Sequence, residues 1–166
     1  MNSTVAAIGS AVFFVVAPGT VAGLLPYWLS DGWHSHAALW YLRIPGALLI
    51  LAGLVVIVNA FARFATEGIG TPAPIAPPKH LVVGGFYRYV RNPMYVALLA
   101  LIVGQGLWLA QSSVLIYGAV VWATTALFVK IYEEPKLAQT FGEEYDEYRR
   151  HVRAWIPRRS PWRSVD

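Results

Sequence analysis

At 166 residues, 57% hydrophobic and only 13% charged, with a mean hydropathy of +0.49, the chain is far from the quarter-charged composition of an ordinary soluble domain and reads as a membrane protein. Its net charge of +4 does not argue for nucleic acid. No basic stripe accompanies a reading motif, and bases beside apolar segments report orientation and contact with membrane lipids instead. The absence of cysteine excludes disulfides, thiolate metal sites and cysteine nucleophiles.

A hydrocarbon layer of about 30 Å takes roughly 20 apolar residues in helical form. Four segments approach that length, 5–25, 44–64, 94–110 and 114–132. The expected fold is therefore all-α, a polytopic membrane helical bundle of about four transmembrane helices followed by C-terminal amphipathic helices. No basic residue precedes Arg43, so the first segment lacks the basic start of a cleavable signal and is expected to be retained as a span. Pro18 and Gly19 should kink it, with neighbouring helices satisfying the freed carbonyl. Its expected role is packing. His34 and His36 follow in a short polar loop beside Trp33, where, without a third ligand nearby, they read as interfacial residues, and no metal site is expected. In the second segment Gly46, Ala47, Ala52 and Gly53 permit close helix approach. They are compatible with self-association without requiring it.

Residues 65–78 carry Pro72, Pro74, Pro77 and Pro78 and should be an extended loop. Gly68, Gly70 and Ala73 match the dinucleotide spacing only by accident, since no strand precedes them and Pro72 stands where the helix would begin. The stretch from Lys79 to Tyr95 is the richest in chemistry. Lys79, Arg88 and Arg91 supply charge, Tyr87, Tyr89 and Tyr95 supply electron-rich faces, and Gly84 and Gly85 permit backbone approach. Pro93 suits a first helical turn that Asn92 or a neighbour caps, and the exposed amides of that turn suit an anionic group.

The third and fourth apolar segments are separated only by Gln111, Ser112 and Ser113, so they must form a tight antiparallel hairpin. Tyr95 and Glu133 should then emerge on the same side of the membrane. The basic residues of the 63–91 region and of the tail place both on the cytoplasmic side, with Arg43 as the one discordant charge. Glu134 precedes Pro135, where the span should break and a short helix start. The two adjacent carboxylates read either as a solvated helix end or as a site, in which one faces a ligand or orders groups around it while the other caps the helix or pairs with Arg88 or Arg91. Gly142 should end the short helix. The next helix puts Tyr145, Tyr148 and Val152 on one face and is expected along the membrane surface, anchored by Trp155 and Trp162.

The patterns G-x-Y-R-x-x-R-N-P-x-Y at 85–95 and E-E-P-x-L-x-x-x-F-G-x-x-Y-x-x-Y at 133–148 resemble the isoprenylcysteine carboxyl methyltransferase family of integral membrane methyltransferases, to which phospholipid N-methyltransferases are related. The resemblance covers about the last ninety residues. It implies an S-adenosylmethionine-dependent enzyme acting on a lipophilic small molecule from the bilayer, multi-pass, with its site facing the cytoplasm. It further implies Lys79, His80, Leu81, Val82, Gly85, Tyr87, Asn92, Pro93, Met94, Tyr95 and Glu133 at the cofactor, with Glu133, Glu134 and Arg91 as the residues of the chemistry. The chain then reads as one domain over 1–166: two spans in 1–64, a cofactor loop at 65–93, the hairpin at 94–132 and a cofactor-covering tail at 133–166. Two positions depart from the prenylcysteine enzymes. Asn92 stands where many members have histidine, and Val129 stands where those enzymes carry an arginine associated with the substrate carboxylate. A phospholipid ethanolamine N-methyltransferase and a non-catalytic membrane bundle are the alternative expectations.

Overall fold

The computed structural model describes residues 12–13, 15–35, 37–67 and 80–163. His36, Lys79 and most of the proline-rich loop lie outside the described residues. Among the described residues, every regular element is helical. Helix α1 spans Val15–Leu29, with a π-helical turn at Thr20–Leu24. A 3-10 segment at Ala37–Leu42 leads into α2, Arg43–Glu67. A 3-10 turn at Gly85–Arg88 precedes α3, Pro93–Leu109, which folds back on α4, Ser112–Phe128. A π-helical turn at Val129–Glu133 joins α4 to α5, Glu134–Phe141, and α6 follows at Glu143–His151.

Two helices are long and apolar enough to cross a membrane, Leu39–Arg63 and the 30-residue run Ser112–Phe141. Helix α3, at 17 residues, reaches only about 26 Å at 1.5 Å per residue, and the described part of α1 is also shorter than a full span. The expectation of four spans is thus met in length by two. The outward faces of the long helices remain apolar: Ile44, Leu48, Leu51, Val55 and Val58 on α2, and Ile116, Val120 and Leu127 on α4, are exposed. Contiguous apolar surface of this kind belongs in lipid.

Helices α2 and α3 touch backbone to backbone. A Cβ on Gly46 would sit 2.7 Å from the Gly104 carbonyl oxygen, one on Gly104 would sit 2.8 Å from the Gly46 oxygen, and one on Gly53 would sit 2.9 Å from the Ala97 oxygen. The small residues of α2 therefore serve packing inside the chain at Gly46 and Gly53, while Ala52 stays exposed. Ile57, Phe61, Leu98, Leu101 and Ile102 form the core beside this seam.

The carbonyl that Pro18 leaves without a donor belongs to residue 14, outside the described residues, whereas the Ala22 carbonyl lacks one because Pro26 has no N–H. After Pro18 the helix widens into its π-helical turn, and the Val21 and Ala22 carbonyls there accept from the Tyr117 hydroxyl at 2.9 Å and from Gln105 Nε2 at 2.7 Å. Neighbouring helices thus take up backbone acceptors where regular winding is lost.

At Pro135 the outcome differs from expectation. The helix does not break at Glu134, whose φ and ψ of −61° and −46° are helical. Instead the turn before it widens, and the Glu134 amide reaches back to the Val129 carbonyl. One extra residue in that turn accommodates Pro135, which lacks a donor, without a change of element. Gly142, with φ 53° and ψ −124°, then ends α5 as expected.

Candidate active site

The hairpin turn is closed by Ala110 in the left-handed conformation, φ 54°, with the Gln111 amide on the Gly106 carbonyl at 2.9 Å. So short a connection returns the end of α4 to the start of α3. The Tyr95 hydroxyl donates to Glu133 Oε2 at 3.1 Å. One residue further on, Glu134 Oε1 lies 2.9 Å from Arg91 Nη2, with the two side chains 24% and 12% exposed. Arg91 Nη1 donates to the Tyr145 hydroxyl at 2.9 Å, and the guanidinium stands 5.9 Å from that ring's centroid. Arg91 Nε is buried and has no hydrogen-bond partner.

The C-terminal tail holds the 87–92 segment in place. Arg91 and Asn92 donate their amides to the Arg153 and Ala154 carbonyls at 2.9 and 3.3 Å, and Arg158 and Trp162 donate theirs to the Tyr89 and Arg88 carbonyls at 2.8 and 2.9 Å. Arg88 Nε returns a bond to the Trp162 carbonyl at 2.7 Å. From α6, the Tyr148 hydroxyl donates to the Tyr87 carbonyl at 2.6 Å. Burial raises the pKa of Tyr145 and of Tyr148, so both hydroxyls keep their protons.

The anchoring of α6 corrects the reading of its apolar face. Tyr145, Tyr148 and Val152 pack on Leu81, Val83, Leu137 and Phe141 rather than facing outward. The Trp162 ring lies tilted against Tyr148 at 5.5 Å, and the Trp155 ring tilted against Tyr95 at 6.3 Å.

Asn92 occupies the capping position of α3, but its side chain makes no cap bond. Its Nδ2 donates to the Ala154 carbonyl at 3.1 Å instead. With Pro93 at the first turn, the amides that follow it have no side-chain cap. Such a helix start attracts negative charge.

These groups line a cavity of about 510 Å³, within the range of small-molecule sites. One set of lining residues is polar and comes from the tail and the start of α3: Arg91, Asn92, Tyr95, Glu133, Glu134 and Tyr145. The other comes from the helices: Ala17 and Val21 of α1, Phe61 of α2, and Tyr117, Val121 and Phe128 of α4. A ligand with one charged end and an apolar neighbour would find both environments in one space.

Of the residues expected at the cofactor, Leu81, Val82, Tyr87, Asn92, Pro93, Met94, Tyr95 and Glu133 line this cavity, as do Arg91 and Glu134. Two are placed elsewhere. His80 is exposed and does not line the cavity. Gly85 lies at φ +56° against α2, where a Cβ would stand 2.7 Å from Asn59 Oδ1 and 3.1 Å from Arg63 Cγ, so the backbone approach it permits is to a helix. Lys79 lies outside the described residues. Sequence reasoning missed the contribution of α1, whose Ala17, Pro18 and Val21 are cavity wall, and that of Tyr117. The available signal was Pro18 and Gly19 within the first apolar segment, which were read as serving packing alone.

The sequence profile of the family described as phospholipid methyltransferase matches residues 41–144. The chain belongs to this family. That stretch runs from α2 through α5 and contains the first motif segment and the second as far as residue 144. Among curated proteins, the protein-S-isoprenylcysteine O-methyltransferase of Schizosaccharomyces pombe is 35% identical over 78 residues, which cover 46% of this chain and 33% of that protein. Protein-S-isoprenylcysteine O-methyltransferase B of Arabidopsis thaliana is 36% identical over 78 residues, 46% of this chain and 39% of that protein. The chain thus spans between a third and two fifths of the length of these relatives. The resemblance read from the two motifs is borne out by family membership and by both relatives.

Proposed function

We propose that the chain is a single-domain, multi-pass membrane methyltransferase that takes its methyl group from S-adenosylmethionine and transfers it to a lipophilic small molecule. The observation that carries this reading is the contact of Tyr95 with Glu133, which closes two distant motif segments around one cavity. Family membership and the names of the two relatives support it.

The residues fit the cofactor. The buried, unspent Nε of Arg91 and the uncapped amides at the start of α3 suit its carboxylate. Leu81, Val82 and Tyr87 offer an apolar and aromatic wall for its base. Glu133 and Tyr95 stand where the polar lining gives way to the apolar one. Bound there, S-adenosylmethionine supplies an electrophilic methyl carbon on a sulfonium. The protein's own task is alignment and the exclusion of water, because in-line displacement needs no covalent participation by a side chain. The tail, held along residues 87–92, covers the polar end, while the apolar end meets helices whose outer faces belong in lipid. Basic residues on the loop and tail put this end of the bundle at the cytoplasmic face.

Membranes containing the protein, incubated with methyl-labelled S-adenosylmethionine, should yield a labelled lipophilic product. The Arg91→Ala variant should lose the label. Label that remains entirely in the cofactor with the wild-type protein refutes the proposal.

A further inference from the structure

The tail carries a charge distribution that the cavity does not use. Between residues 148 and 163 stand Arg149, Arg150, Arg153, Arg158, Arg159 and Arg163, with no acidic residue and no lysine among them. Three of the six are balanced or bonded locally. Arg149 pairs with Asp146 at 3.1 Å, Arg149 and Arg150 share a groove with the acids of α6, and Arg158 Nη1 donates to the His151 carbonyl at 2.9 Å. The other three, Arg153, Arg159 and Arg163, are exposed, and their side chains make no hydrogen bond or ion pair among the described residues.

These three stand on a fixed backbone. Main-chain bonds at Arg153, Arg158 and Trp162 tie this strap to residues 88–92. The rings of Trp155 and Trp162 turn inward onto Tyr95 and Tyr148, whereas Ile156, between Arg153 and Arg159, is 61% exposed. An outward face of arginine around one apolar side chain has the composition of a membrane-surface segment.

The depth of the strap agrees. Exposed apolar surface continues beyond α4 as far as Ile131. Two residues on, Glu133 meets the Tyr95 hydroxyl, and the Tyr95 ring meets Trp155. The strap therefore crosses the bundle where the lipid-facing surface ends, at the level of the headgroups. Guanidinium is the cation best matched to phosphate oxygens, which it can engage in pairs.

We infer that, whatever reaction the cavity performs, the outer face of the strap is a docking surface for anionic phospholipid headgroups of the adjoining leaflet, held by Arg153, Arg159 and Arg163 with Ile156 dipping toward the acyl chains, and that this contact fastens the strap on residues 88–92. Lipid that binds the docked strap and not the released one stabilises docking by mass action. A soluble polyanion would leave Ile156 in water and has no claim on this depth.

Hydrogen exchange of the Arg91, Asn92, Arg158 and Trp162 amides tests this in the full chain, in nanodiscs of phosphatidylcholine alone and of phosphatidylcholine with phosphatidylglycerol. An arginine beside an anionic leaflet gains roughly fivefold in binding, so three should slow exchange by about tenfold or more when the anionic lipid is added. High salt should remove that gain by screening. Replacing the three together, Arg153→Gln, Arg159→Gln and Arg163→Gln, breaks no side-chain bond and should make exchange alike in both lipids, while the corresponding lysine substitutions keep the charge and should keep a gain of the same sign. Equal protection of the wild type in both nanodiscs, or a gain that the glutamine substitutions leave intact, overturns the inference. Protection restored in phosphatidylcholine by inorganic phosphate, at matched ionic strength, overturns it in favour of a soluble anion.

Discussion

The Arg91–Glu134 pair gives the sharpest energetic expectation. The two groups meet at 2.9 Å with 12% and 24% of their side chains exposed, between the surface case, worth about 0–1 kcal/mol, and a buried hydrogen bond to a charged group, worth about 1.5–3 kcal/mol. A coupling of about 1–2 kcal/mol is the middle ground. Arg91→Met also abandons the Tyr145 hydroxyl at 2.9 Å and leaves the Glu134 carboxylate without its partner, so it should cost about 2–4 kcal/mol alone. Glu134→Gln keeps an acceptor and should cost about 1–2 kcal/mol. The double variant should then fall short of the sum of the singles by the coupling. Equilibrium unfolding of the four proteins in bicelles measures it. Additivity within about 0.5 kcal/mol, the ordinary behaviour of independent sites, would refute the pairing.

At the α2–α3 seam, Gly104→Ala places a Cβ 2.8 Å from the Gly46 oxygen and from Ile50 Cγ1, and thermal unfolding should show an overpacking cost of about 1–3 kcal/mol. Gly142→Ala meets no atom within 4 Å, so its expected cost, about 1–3 kcal/mol, arises from backbone strain at φ 53° alone. Alkali should release the tail. Burial holds Tyr148 and Tyr145 above their ordinary value of 10.0, so their docking is at full strength below pH 10 and weakens as pH rises further, when the undocked chain ionises first. Hydrogen exchange of the 88–92 amides across that range should rise, and unchanged protection would count against the strap.

The hairpin was legible because three residues leave two apolar segments no choice but to double back, and the juxtaposition of Tyr95 with Glu133 followed from that alone. The pairing of a glutamate with an arginine of the loop was legible in kind, and the structure selects Glu134 and Arg91. The strap was not legible. Most of its bonds join main-chain groups, as from Arg91 to Arg153 and from Arg158 to Tyr89, and such bonds leave no mark in side-chain pattern. Asn92 misled as a capping residue because a side-chain amide serves a tail carbonyl as readily as a helix end. Pro135 misled because a widened turn upstream lets Glu134 stay helical. Gly85 was rightly read as a place of close approach, but sequence carries no sign of whether the approaching group is a ligand or, as here, Asn59 and Arg63 of α2.

The most direct test of the central claim is titration of S-adenosylmethionine into the purified protein in nanodiscs, followed by calorimetry, with Tyr95→Ala and Arg91→Ala beside the wild type. Saturable one-to-one binding that weakens in both variants is expected if the α3 start and the end of α4 enclose the cofactor. Absence of binding heat with the wild type, or binding that neither substitution alters, would contradict it.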